Sequence, residues 1–390
     1  MGQQKIMTDK SFLFICCQPG AEWTIKQEIA RTNPLLKSAF QRPGLITFRS
    51  DGKPVTTEVS RVSRFAYLFG KSLGMAKSAE DVLALANDLG PSLRLHVFDR
   101  AAGPRRSSSK PETASAHLQS YEESELDNPS PSPATKAVEA EIRALDIGPH
   151  RRFLPDVAAE VGDLVLDVIV AEGEPLFVGA HRHQQGLGPF PGGHFGVELP
   201  DAAPSRAYLK LEEAVRSFNL PLLAGDMAVD VGAAPGGATY ALLRRGINVV
   251  AVDPGAMDPM LTRFQGPTGA RLIAHLPMTV GSLRWEDLPQ QTDWLLCDVH
   301  LAPQVALHAM RRILAGLRHS LAGVIFTLKL NQWSFAEHAD SWIAGAKKEG
   351  LYQVDIRQLP SHRQECCLVG LTAIGNKRRG SSLNHRRNAR

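Results

Sequence analysis

Hydrophobic and polar positions follow two different patterns along the chain, and the change comes near residue 200. Before it, short apolar runs and amphipathic stretches alternate irregularly, which predicts an α+β arrangement. The predicted strands cover residues 12–17, 45–48, 93–98, 164–170 and 176–180, and the predicted helices cover residues 21–31, 79–89 and 136–145. These elements carry no recognisable set of acid, base and nucleophile, so we interpret this part as a binding or scaffolding region.

Beyond residue 200, strands and helices alternate regularly. The predicted strands cover residues 227–231, 249–253, 294–297 and 324–328. The predicted helices cover residues 205–218 and 305–317, and a further helix ends at residue 245. This alternation is typical of a parallel sheet with helices on both faces. Ligands of such sheets bind at the carboxyl ends of the strands, so we expect functional residues directly after them.

Residues 101–135 differ from their surroundings in composition. Eight of these 35 residues are serine and five are proline, and large apolar side chains are few. Such a segment cannot bury enough apolar surface to offset the entropy that it would lose on ordering. We therefore predict that residues 101–135 form a disordered insertion.

Composition excludes some classes of protein. No apolar run in the 390 residues approaches the roughly 20 that span a bilayer, and the polar N-terminus is a poor signal peptide. The five cysteines form two adjacent pairs and a singleton, without the spacing of a disulfide framework or a zinc site. This favours reduced thiols in the cytoplasm. No metal site is predicted, and we interpret His181 and His183 as a surface pair.

Positive charge is concentrated at the end of the chain. The net charge is +4, and residues 376–390 contain six basic residues and no acidic one. The rest of the chain is nearly neutral, with 38 basic and 40 acidic residues. Two interpretations stay open, a basic tail that binds phosphates and a solvated terminus without a ligand.

The sharpest chemical signal is the segment Asp230-Val-Gly-Ala-Ala-Pro-Gly-Gly237, where a glycine-rich turn joins a predicted strand to a helix. Glycine lets the backbone approach a ligand that a Cβ atom would exclude. Asp253, at the end of the next predicted strand, is placed to accept hydrogen bonds from ribose hydroxyls. An ordinary tight turn with a capping aspartate is the alternative. The candidate cofactor-binding residues are Asp230, Gly232, Ala233, Ala234, Pro235, Gly236, Gly237 and Asp253.

This segment resembles motif I of the FtsJ-like RNA ribose 2′-O-methyltransferases, which use S-adenosyl-L-methionine. Four further segments match that family, at residues 205–213, 297–298, 328–330 and 362–365. In chain order they supply the Lys-Asp-Lys-Glu tetrad of the family. The catalytic residues that the resemblance implies are Lys210, Asp298, Lys329 and Glu365. It places Asp298 beside the cofactor as well.

A narrower similarity, over residues 17–22, 203–214, 251–257 and 357–365, is to the members of that family that methylate a cytidine ribose in 23S rRNA. It implies an α/β fold with α+β domains first: a ferredoxin-like domain, a THUMP-like RNA-binding domain, and a Rossmann-like class I methyltransferase sheet. The corresponding ranges are residues 1–76, residues 77–200 with the insertion 101–135, residues 201–375, and a basic tail at 376–390.

The resemblance also implies partners. The substrate would be 23S rRNA, naked or in an early assembly intermediate, because the ribose would be unreachable in a finished subunit. We expect a cytoplasmic protein without a membrane partner, either a monomer or a homodimer. Arg151, Arg152 and Arg182 are candidate RNA-binding residues.

The chemistry suggests a role for each member of the tetrad. A ribose 2′-hydroxyl is a poor nucleophile, so the site must align it and remove its proton. A lysine accepts a proton only as the neutral amine, and burial and a second cation both lower its pKa. We therefore predict Lys329 as the general base, with Lys210 as the second cation. Asp298 would orient Lys329 and Glu365 would fix Lys210.

Two departures from the family pattern keep alternatives open. Ala238 follows the glycine-rich motif where the family usually has tryptophan, and the expected Asp-Gly is not evident around residues 278–281. Both favour a non-catalytic RNA-binding protein on a methyltransferase fold, whereas the intact tetrad argues against it. For Lys329 and Glu365 themselves, a surface salt bridge is the alternative. An oxidoreductase with a Rossmann sheet is disfavoured, because GxxxGG is not the dinucleotide-binding spacing GxGxxG.

Overall fold

The computed structural model describes residues 11–101, 130–146 and 152–388, with side chains up to residue 381. The chain divides into two compact units, residues 1–196 (unit 1) and residues 197–390 (unit 2). Within the described residues, no helix is both long and apolar enough to cross a membrane.

Unit 1 is built on one seven-stranded sheet with the strand order β2-β3-β1-β4-β7-β6-β5. Its elements in chain order are β1 (Phe12–Cys16), α1 (Glu22–Thr32), β2 (Leu36–Arg42), β3 (Leu45–Ser50), β4 (Leu68–Ala76), α2 (Ala79–Leu85), β5 (Leu93–Asp99), α3 (Pro133–Leu145), β6 (Leu164–Val170) and β7 (Leu176–Arg182). The predicted strands and helices are all present. The sheet continues across the predicted domain boundary at residues 76–77, because β4 pairs with both β1 and β7. The two N-terminal domain types stay predictions.

The sequence patterns of unit 1 do not predict strand β4 and conceal two further features. β2 was not predicted, since its side chains are mostly exposed and polar and show no apolar face. Helix α3 begins at Pro133, so the last residues of the predicted disordered insertion are helical. The Ser132 hydroxyl caps that helix, and it donates a hydrogen bond of 2.7 Å to Asp99. Residues 102–129 of the insertion lie outside the described residues.

The prediction that His181 and His183 form a surface pair is wrong. His181 is 2% exposed and His183 is 5% exposed. β7 extends to Arg182 and therefore includes His181. The Nδ1 atom of His181 lies 2.6 Å from Oδ2 of Asp167 on the neighbouring strand β6. In the described part of the chain, no group of three or more His, Cys, Asp or Glu side chains could hold a metal ion.

Unit 2 is a Rossmann-like sheet with helices between its parallel strands, as predicted. The elements are α4 (Ala207–Phe218), β8 (Met227–Val231), α5 (Gly237–Arg244), β9 (Asn248–Val252), β10 (Leu272–Leu276), β11 (Trp294–Cys297), α6 (Pro303–Leu317), β12 (Gly323–Lys329), α7 (Ala339–Lys348), β13 (Tyr352–Arg357), β14 (Glu365–Leu371) and α8 (Ala373–Asn388). The strand order is β10-β9-β8-β11-β12-β14-β13. β14 is antiparallel to both of its neighbours. β8, β9, β11 and β12 pair in parallel, so their carboxyl ends meet at one edge of the sheet.

Helix α8 covers residues 376–388 of the predicted basic tail. The guanidinium of Arg378 lies 3.1 Å from Asp226 and 2.7 Å from Asp293, the residues immediately before β8 and β11. Asp226 also accepts a hydrogen bond from the buried indole of Trp294. Arg378 is therefore a structural residue that fastens α8 to the amino ends of two central strands.

Candidate active site

The glycine-rich loop between β8 and α5 needs its glycines. Gly232 has a φ of +82°, and a Cβ atom there would lie 2.4 Å from the carbonyl oxygen of Asp298. Gly236 has a φ of +119°, and a Cβ atom there would collide with Leu261. A Cβ atom at Gly237 would collide with Ser205. The backbone at these three glycines is thus closely packed, at the edge where ligands of such sheets bind.

The two aspartates beside this loop have different surroundings. Asp230 is fully buried and accepts a hydrogen bond of 2.7 Å from the Thr239 hydroxyl; burial raises its pKa to about 6. This hydrogen bond therefore joins β8 to α5, the two elements that the loop connects. Asp253 is partly exposed and accepts hydrogen bonds from the backbone N–H groups of Ala234 and Gly255. Its carboxylate still has lone pairs for further donors.

The four residues of the implied tetrad form a closed ring of ion pairs. Lys210 comes from α4, Asp298 follows β11, Lys329 ends β12 and Glu365 begins β14. The Lys210 ammonium lies 3.1 Å from Asp298 and 2.7 Å from Glu365. The Lys329 ammonium lies 2.7 Å from Asp298 and 2.6 Å from Glu365. Lys329 and Glu365 are also register partners across the antiparallel pair β12–β14.

The electrostatics of the ring differ from the sequence prediction. Burial alone would lower the pKa of Lys329, but Asp298 and Glu365 outweigh it and the pKa is raised. Burial alone would raise the pKa values of Asp298 and Glu365, but the two lysines outweigh it and both values are lowered. The prediction that Lys210 leaves Lys329 with a lowered pKa is therefore wrong for this structure, because each lysine contacts both carboxylates.

Two buried residues beside the ring were not assigned a role from the sequence. Glu213 lies one helical turn after Lys210 on α4, and its carboxylate accepts a hydrogen bond of 2.9 Å from the backbone N–H of Ser361. His362, 1% exposed, lies three residues before Glu365, and burial lowers its pKa to about 4. The spacing of Glu213 from Lys210 was the available signal, since residues i and i+3 share one helix face.

Other sequence-predicted residues lie elsewhere or have other partners. Ala238 is buried and lines a small cavity with Lys210, Asp230 and Asp298. The loop after β10 has no acidic residue before Glu286, so the departure seen around residues 278–281 persists.

The candidate RNA-binding arginines belong to unit 1. Arg152 donates hydrogen bonds to Leu83 and Asn87, and Arg182 lies 3.1 Å from Glu58. Arg151 lies outside the described residues.

The strand order of unit 2, the bare glycine-rich loop after β8 and the acid after β9 define the class I methyltransferase type of Rossmann-like domain. Residues 203–339 match the family model described as FtsJ-like methyltransferase. Unit 2 therefore carries an FtsJ-like methyltransferase domain, and the resemblance seen in the sequence motifs is confirmed. The oxidoreductase alternative finds no support in this match.

Curated relatives share one description, "Ribosomal RNA large subunit methyltransferase M". That of Marinomonas sp. is 31% identical over 52% of this chain and 58% of its own length. That of Laribacter hongkongensis is 34% identical over 49% and 55%, respectively. That of Halorhodospira halophila is 36% identical over 47% and 54%. The chain thus spans about half the length of the curated relatives it matches. Among solved structures, TrmN from Thermus thermophilus is similar over 93% of this chain and 99% of that chain, but its 15% identity and TM-score of 0.33 are too low to add to the argument.

Proposed function

We propose that this protein transfers a methyl group from S-adenosyl-L-methionine to the 2′-hydroxyl of a cytidine ribose in 23S rRNA. The observation that carries the proposal is the ring of Lys210, Asp298, Lys329 and Glu365 at the edge of the sheet where ligands bind. The FtsJ-like match and the description of the relatives support the reaction type and the RNA class.

The residues around the glycine-rich loop fit the proposed cofactor. The loop has glycine at three positions, Gly232, Gly236 and Gly237, where the chain packs too closely for a Cβ atom, and Asp253 presents a carboxylate with acceptor capacity for ribose hydroxyls. Asp298, at the start of the neighbouring loop, offers negative charge beside them. S-adenosyl-L-methionine would supply a methyl group activated by its attachment to a sulfonium.

We assign Lys329 as the general base. Its side chain is 12% exposed, and Asp298 and Glu365 fix its ammonium from two sides. Because these carboxylates raise its pKa, the resting group holds a proton. That proton must leave to solvent before Nζ can accept the proton of the 2′-hydroxyl, so the active fraction rises with pH. Lys210 balances the negative charge of the two carboxylates.

The substrate would be naked or partly assembled 23S rRNA, since the ribose must reach the edge of the sheet. Unit 1 would contribute RNA binding, consistent with its lack of an evident catalytic set in the sequence. We expect this reaction to take place in the cytoplasm, with the protein acting as a monomer or a homodimer.

Methyl transfer from labelled S-adenosyl-L-methionine to unmodified 23S rRNA tests the proposal, with Lys329→Ala in parallel. We expect label at a single cytidine, whose 3′ phosphodiester bond resists alkaline hydrolysis, and no label in the variant. Label elsewhere than on a ribose would contradict the proposed reaction. Cofactor binding without any transfer to the rRNA would contradict the proposed substrate. Absence of cofactor binding would leave the alternative, a non-catalytic RNA-binding protein on a methyltransferase fold.

A further inference from the structure

The position of Glu365 depends on the loop that precedes it. This loop covers residues 358–364, between β13 and β14, and Glu365 is the first residue of β14. The Glu365 carboxylate touches both lysines of the ring. A small movement at the start of β14 would therefore change two ion pairs together.

Hydrogen bonds of two buried side chains link the middle of the loop to Glu365. The side-chain amide of Gln358 donates hydrogen bonds to the carbonyl oxygens of Arg363 and Glu365, at 2.7 Å and 3.3 Å. The ring of His362 closes the turn by accepting a hydrogen bond of 3.3 Å from the Leu359 N–H at Nδ1. Gln358 and His362 are both essentially buried. A displacement at the middle of the loop is thus transmitted to Glu365.

Helix α4 fixes the middle of this loop through Glu213. The Glu213 carboxylate, 6% exposed, accepts the N–H of Ser361 at 2.9 Å. Lys210, one turn earlier on the same helix, contacts Glu365 itself. One helix therefore positions a lysine of the ring and also the loop that delivers the opposing carboxylate.

We propose that Glu213 is a positioning residue that holds Glu365 between Lys210 and Lys329 by anchoring the loop at Ser361. The inference deepens the proposed function and rests on it for its consequence in catalysis. It makes a structural claim as well, which can be tested without methyl transfer.

To anchor the loop, residue 213 must present an oxygen acceptor at the right distance from the Ser361 N–H. Burial raises the pKa of Glu213 to about 7, although the cations Arg206 and Arg216 and the contact with Ser361 oppose this shift. The carboxyl therefore titrates near neutral pH, and each of its protonation states keeps an oxygen that can accept the Ser361 N–H. Glutamine keeps this oxygen at the same reach, whereas aspartate keeps the charge but shortens the side chain by one methylene.

The direct readout is the 13Cε chemical shift of Lys329 at neutral pH, by NMR of the full-length protein with 13C-labelled lysine, with its resonance assigned by Lys329→Arg. If Glu213→Asp or Glu213→Ala withdraws Glu365, the Lys329 ammonium loses its 2.6 Å contact with that carboxylate. We expect the Lys329 resonance to leave its wild-type position in both variants and to keep it in Glu213→Gln. The single-turnover methylation rate should fall about 10- to 100-fold in the first two variants, because Lys329 is no longer held from two sides, and less than about threefold in the third.

Glu212 offers a matched control on the same helix. It is buried like Glu213, but its carboxylate pairs with Arg245, at 2.6 Å, which lies at the end of α5 and not in the loop. Glu212→Ala should lower the melting temperature and leave the Lys329 resonance at its wild-type position. If Glu213→Ala does not fold, Glu213→Asp decides the question.

Two results would overturn the inference. One is an unchanged Lys329 resonance in both Glu213→Asp and Glu213→Ala, which would reduce Glu213 to a stabilising residue. The other is a Glu213→Gln variant that behaves like Glu213→Ala, which would show that the charge of Glu213, and not its length, is required. The NMR measurement needs no substrate, so failure of the proposed methylation in wild type would leave this test standing.

Discussion

Two buried clusters of ionisable side chains, one in each unit, balance their charges in different ways. The ring in unit 2 alternates two lysines with two carboxylates at contact distance. The cluster in unit 1 places the imidazoles of His96 and His181 beside one carboxylate, that of Asp167, and the imidazole of His183 beside that of His181. In the ring, opposite charges in contact favour the charged forms of Lys329, Asp298 and Glu365, whereas in the histidine cluster burial favours the neutral forms of His96 and His183.

The two clusters also differ in how far their side chains are exposed to solvent. Side chains of the ring are 8% to 20% exposed, which leaves their charged ends within reach of a ligand. Those of the histidine cluster are at most 5% exposed and lie on the sheet of unit 1. Burial alone therefore does not identify a functional cluster. Compensated charge at the carboxyl edge of a parallel sheet does so more specifically.

The largest effect is expected from removing the base. Lys329→Ala should lower the single-turnover methylation rate by at least about 10³-fold, because the 2′-hydroxyl then loses the proton acceptor that Asp298 and Glu365 hold in position. Lys329→Arg keeps the charge but cannot act as a base at neutral pH, and it should be nearly as slow. Rates are compared by quench-flow at saturating cofactor. An active Lys329→Arg variant would contradict the role of Lys329 as the base.

Breaking the pair in unit 1 should cost stability without a direct effect on chemistry. Asp167→Ala removes the carboxylate that contacts His181 at 2.6 Å and should lower the free energy of unfolding by about 2 kcal/mol, because the buried imidazole of His181 then loses its hydrogen-bond partner. Chemical denaturation checks this. Asp163 supplies the control, since its pair with Arg94 is more exposed and Asp163→Asn should cost less than about 1 kcal/mol. Equal losses in the two variants would contradict the comparison.

Acid should weaken unit 1 by a smaller and graded amount. Burial lowers the pKa of His183 to about 4, and the neighbouring imidazoles of His181 and His96 add to the effect. Burial also lowers the pKa of His96, against the attraction of Asp167. The unfolded chain, in which a histidine titrates near 6.5, then binds more protons than the folded one. The contribution to stability is therefore present above about pH 6.5 and declines as the pH falls towards 4.

Hydrogen exchange resolved by peptide measures this decline in β5, β6 and β7 between pH 7 and pH 5, after correction for the intrinsic exchange rate. The substitution His183→Gln removes the imidazole whose pKa burial lowers to about 4 and should flatten the pH dependence. A dependence as steep as in wild type would contradict the assignment to His183.

The sequence carried enough information to identify the ring but not its charge state. Lys210, Asp298, Lys329 and Glu365 each stand in a recognisable motif next to a helix or strand end. Their contacts join elements that are far apart along the chain, so the raised pKa of Lys329 depends on distances that no local pattern records. The same reason hid the contact between Glu213 and Ser361.

Strand ends and exposed strands limited the prediction of the fold. The predicted strand at residues 176–180 stops before His181, and this shortened end concealed the buried position of both histidines. β10 and β13 are partly exposed and irregular in register, so their apolar patterns are weak. The central strands of unit 2 are continuous apolar runs, and these were predicted almost to the residue.

The dependence of the single-turnover methylation rate on pH tests the central claim most directly. If Lys329 must lose a proton that Asp298 and Glu365 hold in place, the rate should rise about tenfold for each pH unit between pH 7 and pH 9. Cofactor and rRNA are kept saturating, and protein stability is checked at each pH. A rate that stays flat over this range would contradict Lys329 as the general base.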